Sequence, residues 1–386
     1  MTRTLNILSV LIFSSALTVR AVDPVVPQIA TDFGVTPTTA ASLAAAFAAY
    51  GLTLPVLGPV ADAVGKVKVM LACLVILTIT SFMSVVASEF WVLLVIRIVA
   101  GAACGGSFPI AMAIVSDLVP VAQRQVVIGR LLIGTISGNL LGAALSGIIA
   151  DFVHWRGVFV VLGCVTAAAL ALGAWGLRGL PEAPRQTLHV LAVISRYRDI
   201  FRIRTARICY MTVALEGFFL FGVFPYVAVL LLAGGEPRAS IAGVVVAAFA
   251  VGGMMYSFSV GRLLRWFGQK KVMMVGGAFT SIALAIVGFG PPWPVQAAAF
   301  ALMGLGFYML HASIQVYVTE LAPATRSSAV AFHTFSFFVG GGLSPLVYGA
   351  SIANLGPPLT LGVAAIAMLA IGIVSAQLLV KPKTQL

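Results

Sequence analysis

Acidic residues are scarce in this sequence: Asp and Glu account for 11 of 386 residues, and charged residues of both signs for only 9%. A water-soluble domain carries about 25% charged residues, so this chain cannot cover a surface facing water on all sides. Cysteine is equally sparse. Cys73, Cys104, Cys164 and Cys209 stand singly in apolar stretches, with no CxxC pair and no clustered His or carboxylate partner, which excludes a disulfide framework and a metal site. Also missing are a phosphate-binding GxxxxGK[ST] loop, a GxSxG elbow, an HExxH helix and a pair of clustered carboxylates. Without them, and without a polar segment long enough to house a hydrolytic domain, neither an enzyme nor an ATP-driven machine is expected. No cofactor is implied.

What the sequence has instead is apolar length. Hydrophobic residues make up 61% of the chain and the mean hydropathy is +1.10. A membrane-spanning helix needs about 20 predominantly apolar residues, and such stretches recur at 5–29, 40–62, 68–87, 91–115, 126–150, 157–177, 206–232, 240–264, 271–290, 295–319, 327–351 and 357–380. The expected fold is all-α and membrane-embedded, with twelve transmembrane helices. The first stretch runs on through Arg20 and Asp23 without a small-residue cleavage site, so it reads as a helix rather than a signal peptide.

The net charge of +12 invites a nucleic-acid reading, but its placement decides against one. With an even number of spans and the N-terminus inside, 19 of the 23 Lys and Arg fall on the cytoplasmic side. Arg156 and Arg238 fall outside, and Arg20 and Arg97 within the membrane. That is the asymmetry of the positive-inside rule, with lipid headgroups as the secondary partner. Both termini are expected in the cytoplasm of a bacterial cell, with the chain in its inner membrane.

The first half repeats in the second at an offset of 203 residues. Gly58, Gly65, Lys68, Val69 and Met70 recur as Gly261, Gly268, Lys271, Val272 and Met273, and Val115–Pro120 recurs as Val318–Pro323. One residue shorter, Arg124 aligns with Arg326 and Gly138 with Gly340. Six spans per repeat give both halves the same orientation, so these are parallel repeats. The expected division is a six-helix bundle at 1–177, a cytoplasmic linker at 178–205 and a second bundle at 206–386.

The stretch Gly58-Pro59-Val60-Ala61-Asp62-Ala63-Val64-Gly65-Lys66-Val67-Lys68 resembles the signature loop between helices 2 and 3 of the major facilitator superfamily. More narrowly, the chain resembles that family's bacterial twelve-helix drug:proton antiporters. Two glycines permit a tight turn, and Lys66 and Lys68 hold it on the inner face. The resemblance implies that Asp62 faces the first turn of helix 11, near Arg326. Ala63 stands where the family has a basic residue, which leaves Arg124 or Arg130 to lock the halves. Arg97, followed by Gly101 and Gly105, resembles the family's helix 4 motif. Gly129, Gly138, Gly142, Ala143, Ser146 and Gly147 follow the spacing of its helix 5 antiporter motif, with Ala143 in place of proline. Small residues at this spacing let helices 5 and 8 approach, and plain packing without directional meaning is the competing reading.

Ionisable groups inside the membrane are functional candidates because each costs insertion energy that an apolar residue does not. The proton-coupling candidates are Glu216, by its place in the middle of an apolar helix, and Asp23 and Arg97, whose coupling roles are what the family resemblance implies. Glu216 has no basic residue within four positions, whereas Asp23 follows Arg20 by three and shares its helix face. Since Asp23 and Glu216 come from equivalent helices, they are expected to meet across the central cavity. Candidates to line that cavity are Arg20, Tyr50, Asn139, Phe218, Tyr226, Tyr256, His311, Gln315 and His333. Phe218, Phe221, Phe332 and Phe335 recur at helical spacing as a possible aromatic wall, the alternative being ordinary core packing.

The resulting expectation is a monomeric secondary transporter that moves a small, lipophilic or drug-like solute out of the cell against protons. A symporter or facilitator for a sugar or organic anion, and a non-transporting membrane sensor, are the alternatives.

Overall fold

The structure is a computed structural model that describes residues 2–46, 48–119, 121–180, 195, 198–321 and 326–380. Every regular element among them is helical. Ten helices are long and apolar enough to cross a membrane. Two of these are double length, Ala239–Gly288 and Ala329–Leu379. At 1.5 Å per residue, 50 residues extend about 75 Å, more than twice the ~30 Å of a hydrocarbon core. Each is interrupted by one glycine with non-helical backbone, Gly268 at φ 69° and Gly356 at φ 79°. Gly65, the repeat equivalent of Gly268, also sits at positive φ, 121°. The duplication seen in sequence is therefore a duplication of backbone geometry at a turn that only glycine adopts without strain.

The chain begins with α1, Thr2–Arg20, which gives way to a 3-10 turn at Asp23–Val25 and then to α2, Val26–Phe33. Pro24 and Pro27 lack the N–H that a continuous helix needs there, and Gly34 in the left-handed region ends α2. The same interruption recurs in the second half. There α10, Arg204–Phe221, passes through a 3-10 turn at Phe224–Tyr226 containing Pro225 into α11, Val227–Ala233. Between them lie α3 (Pro37–Ala45), α4 (Ala48–Val64), α5 (Lys66–Val86), α6 (Phe90–Cys104), α7 (Ser107–Leu118), α8 (Val121–Phe152) and α9 (Trp155–Gly176). The second half continues with α12 (Ala239–Gly288), α13 (Trp293–Leu321) and α14 (Arg326–Leu379). Most of the expected linker, including Pro181, Pro184, Arg185 and Arg196, lies outside the described residues, as do Lys381 and Lys383.

Lipid offers no hydrophobic gain for helix association, so the helices meet where small residues let backbones approach. A Cβ on Gly138 would collide with Phe13 and Ala16 of α1, and one on Gly142 with Leu17. Gly340, the repeat partner of Gly138, presses in the same way on Ala214 of α10. In the second half Gly252 of α12 meets the Ala301 carbonyl of α13, and Gly304 of α13 meets that of Phe249. Large apolar residues such as Trp91, Phe258 and Ile366 are exposed on the outside, as suits a surface facing lipid. Ser and Thr hydroxyls inside the bundle mostly donate to carbonyls three or four residues back on their own helix, as Thr80 and Thr166 do, and so add no unsatisfied polar group in the apolar medium.

Candidate functional site

Three helices of the second half bring together three ionisable groups, two of them, Glu216 and His333, buried. Glu216 lies twelve residues into α10 and is fully buried. Its Oε2 is 2.7 Å from Nδ1 of His311 on α13, a separation at which one proton is shared between carboxyl and imidazole. The second carboxyl oxygen, Oε1, has no hydrogen-bond partner among the described residues. Beside this pair stands His333 of α14, 1% exposed, with its ring centroid 4.9 Å from that of His311 and neither ring nitrogen hydrogen-bonded among the described residues. Phe307 stacks on His311 at 4.8 Å and Phe337 packs on it at 4.9 Å. Gly217, next to Glu216, has no side chain to hold the Phe337 backbone away, which is why α14 comes close enough to complete the cluster.

The charges of the first half form a separate group. Arg20 pairs with Asp23 at 3.3 Å, and Asp23 is buried. The Arg20 guanidinium also rests 4.3 Å from the ring centroids of both Phe221 and Phe224, a cation–π clamp that reaches across the two halves. Arg97 donates to the Thr18 carbonyl at 3.0 Å, tying α6 to α1, and the Thr18 hydroxyl in turn donates to the Ser15 carbonyl at 2.7 Å. The expected meeting of Asp23 with Glu216 is not what the structure holds: each acid serves a partner in its own half. The reason is depth, since Asp23 begins the 3-10 turn beyond the end of α1 whereas Glu216 sits inside α10.

Between the halves lie two small cavities of about 40 and 70 Å³. One is lined by Val19 and Arg20 together with Phe221, Phe337 and Phe338, the other by Ser15, Tyr50, Asn139 and Phe338. They have room for a few waters and fall well short of the ~300 Å³ of a typical ligand pocket. Tyr50 of α4 closes the space by packing on Phe338 of α14 at 4.1 Å. Asn139 has a buried side-chain oxygen there with no partner among the described residues.

Several expected cavity residues lie elsewhere. Tyr226 is buried and donates to the Pro345 carbonyl at 2.7 Å, and Tyr256 packs with Val272 and Met309. Neither lines either cavity. Phe218 packs edge-on against Phe219, and its carbonyl accepts from Ser344. The aromatic wall also divides: Phe221 clusters with Phe224, Phe307 and Phe337, whereas Phe332 joins Phe335, Phe201 and Tyr210. Gln315, one helical turn from His311 on α13, is half-buried.

At the end of the bundle where both termini lie, Lys66 bonds to Asp117 at 2.6 Å and approaches Asp62 at 3.5 Å. Asp62 is thus engaged within its own half. The α14 residues it was expected to face, Arg326 to Ser328, lie outside those whose side chains are described, as do Arg124, Gly129 and Arg130. Gly58 has no described atom within 4 Å of a Cβ position, so it is not a point of close helix approach here. Lys68 is exposed. Asp117 was not anticipated as the partner of Lys66, although the repeat places an acid, Glu320, at its equivalent position.

The halves are latched at the opposite end. Gly147 of α8 meets the start of α12, and Gly243 of α12 meets Ala143. Asp151 accepts from the backbone N–H groups of Ala239 and Ser240 at 2.8 and 2.9 Å, capping α12 from the other half. Gly138 and Gly142 of the same motif face α1 instead, so only its last turn joins helices 5 and 8. Asp151→Ala removes a cap worth about 1 kcal/mol, which shifts the closed population about fivefold. With the native cysteines replaced, spin labels at Ser88 and Asn354 are expected to show a longer-distance population in Asp151→Ala. An unchanged distance distribution would remove Asp151 from the latch.

Residues 8–268 and 208–386 match the profile of the Major Facilitator Superfamily; the chain belongs to this family of membrane transporters. It is similar to the inner membrane transport protein YnfM of Escherichia coli, with 24% identity over 89% of this chain and 84% of that protein. A probable sugar efflux transporter of Helicobacter acinonychis is 27% identical over 72% of this chain and 70% of its own length. A homologue of the multidrug resistance efflux pump PmrA from Lactococcus lactis is 26% identical over 79% and 76%. Among solved structures, a D-xylose–proton symporter superposes with a TM-score of 0.77 at 16% identity, covering 100% of this chain and 98% of that one; this likeness speaks for the fold alone.

Proposed function

We propose that this chain exports a small solute in exchange for protons, with the Glu216–His311 pair as its proton-binding centre. The observation that carries the reading is the pair itself: a fully buried carboxyl 2.7 Å from an imidazole, in an apolar sheath whose Phe337 also lines a cavity between the halves. Such a group has no structural need that an apolar side chain would not meet at lower cost. In this reading the two double-length helices are each two spans joined at Gly268 and Gly356, giving twelve. The halves at 1–177 and 206–386 rock about the cavity, and both termini face the cytoplasm of the bacterial inner membrane.

One proton entering is worth about 2.3 kcal/mol per 100 mV, enough to move a neutral or singly charged solute uphill. The relatives named for sugar and drug efflux support outward transport, and the mixed aromatic and hydrogen-bonding lining supports a lipophilic or hydroxyl-bearing solute. Arg20 at the cavity wall favours a second reading, a proton-coupled symporter for an organic anion. Both are tested in sealed vesicles holding a pH-sensitive dye, with sugars, lipophilic cations and organic anions offered in turn. Efflux predicts that protons and the transported solute move in opposite directions; movement in the same direction would establish the symporter.

A further inference from the structure

Glu216 and His311 account for each other, but His333 remains a buried imidazole with both nitrogens unpartnered among the described residues. Burying such a group without hydrogen bonds costs about 1–3 kcal/mol, and a Phe at this position among Phe332, Phe335 and Phe337 would not incur it.

Its depth suggests what it does. α10 leaves the end of the bundle where the termini lie, so Glu216, twelve residues past Arg204, is about 18 Å deep at 1.5 Å per residue. α13 returns to that end at Leu321, which puts His311 about 15 Å deep. α14 leaves it again at Arg326, and His333, seven residues on, is about 11 Å deep. Gly217 meets the Phe337 carbonyl, so Glu216 is level with a residue one turn past His333 on α14, and with His311 between them the three groups form a series from that membrane face to the buried carboxyl. The two imidazoles are in contact, with ring centroids 4.9 Å apart, so that one water beside them could reach a nitrogen of each.

We propose that His333 is the proton carrier between the terminus-bearing face and the Glu216–His311 pair. This rests on the reading of that pair as the coupling centre. Unloading runs as a simple relay. The carboxyl gives its proton to His311, His311 passes one through water to a nitrogen of His333, and His333 releases the proton on its other nitrogen toward the membrane face. Each imidazole ends neutral, and the carboxylate is left charged until it is reprotonated. Among the described residues the titratable group packed on His333 is His311 of α13; Glu216 of α10 stands behind His311, and Tyr210 of α10 packs on the neighbouring Phe332. Tyr210 is committed, donating to the Ala329 carbonyl at 3.2 Å, and Arg20, which rests on Phe221, is paired with Asp23.

The test compares His333→Phe, His333→Asn and Glu216→Gln with the parent protein in vesicles, using the solute that gives the largest proton flux. Solute-driven proton flux and solute–solute exchange at equal pH, which needs no net proton movement, are both measured. In the His333 variants the proton flux is expected to fall about a hundredfold while exchange keeps its parental rate. An undiminished flux in a variant with parental exchange overturns the relay, as does an equal loss of flux and exchange, which marks His333 as structural. Loss of flux in Glu216→Gln alongside an unaffected His333→Asn removes the relay and keeps the coupling centre. Undiminished flux in Glu216→Gln overturns both.

Discussion

Glu216→Gln is expected to yield a protein that inserts and folds normally, still exchanges solute across the membrane, and moves no protons when it does so. The glutamine side chain has the shape of the carboxylic acid and keeps a partner for Nδ1 of His311, since an amide offers a donor and an acceptor where a protonated acid does. What it lacks is a proton to give up. The effect on coupling is therefore complete, while the effect on stability is small. Glu216→Leu is a useful contrast: it strands His311 without its partner at a cost of about 1–3 kcal/mol, so it is expected to lower the thermal midpoint in detergent where Gln does not. Proton flux by entrapped dye and midpoint by heating separate the two. Persisting proton flux in Glu216→Gln would take the residue out of the mechanism.

The largest loss of stability is expected from Gly304→Leu. Gly304 of α13 and Gly252 of α12 lie where the two helices touch backbone to backbone, and any Cβ at either position collides with a carbonyl of the other helix. A leucine there must push the helices apart rather than displace a flexible side chain. Overpacking within a core costs about 1–3 kcal/mol and more when backbone has to move, and helix association in lipid has no hydrophobic gain to offset it. The variant is expected to lose its monodisperse elution peak in detergent. Gly362→Leu, at a helical glycine with nothing within 4 Å, is the control expected to behave as the parent protein. Equal behaviour of the two variants would show that the α12–α13 contact does not determine stability.

Much of the architecture was legible in the sequence because the bilayer imposes a length on every helix, and the repeat imposed a second constraint. The offset pairs Gly65 with Gly268, which share a positive φ, and Gly138 with Gly340, which make equivalent contacts. The site was legible residue by residue but not in its connections. Glu216, His311 and His333 each stood out as ionisable groups in apolar helices, yet joining them requires the relative rotation and depth of α10, α13 and α14. Periodicity places residues on one face of one helix; it does not say which neighbour that face meets. The same limit split the aromatic wall, whose Phe residues share a helical spacing while facing different partners, and sent Tyr226 to the Pro345 carbonyl. The role of Asp151 is hidden in the sequence for a further reason. An acid just beyond a glycine motif reads as a surface charge until the start of α12, 88 residues away, is seen to lie against it.

The central claim is that solute and proton compete for one carrier through Glu216, and it is tested most directly by proton release on binding. Purified protein in weakly buffered detergent solution is mixed with the transported solute while the pH is followed. The account predicts saturable proton release by the parent protein and none by Glu216→Gln. Proton uptake on binding, or a release that Glu216→Gln reproduces in full, would contradict it.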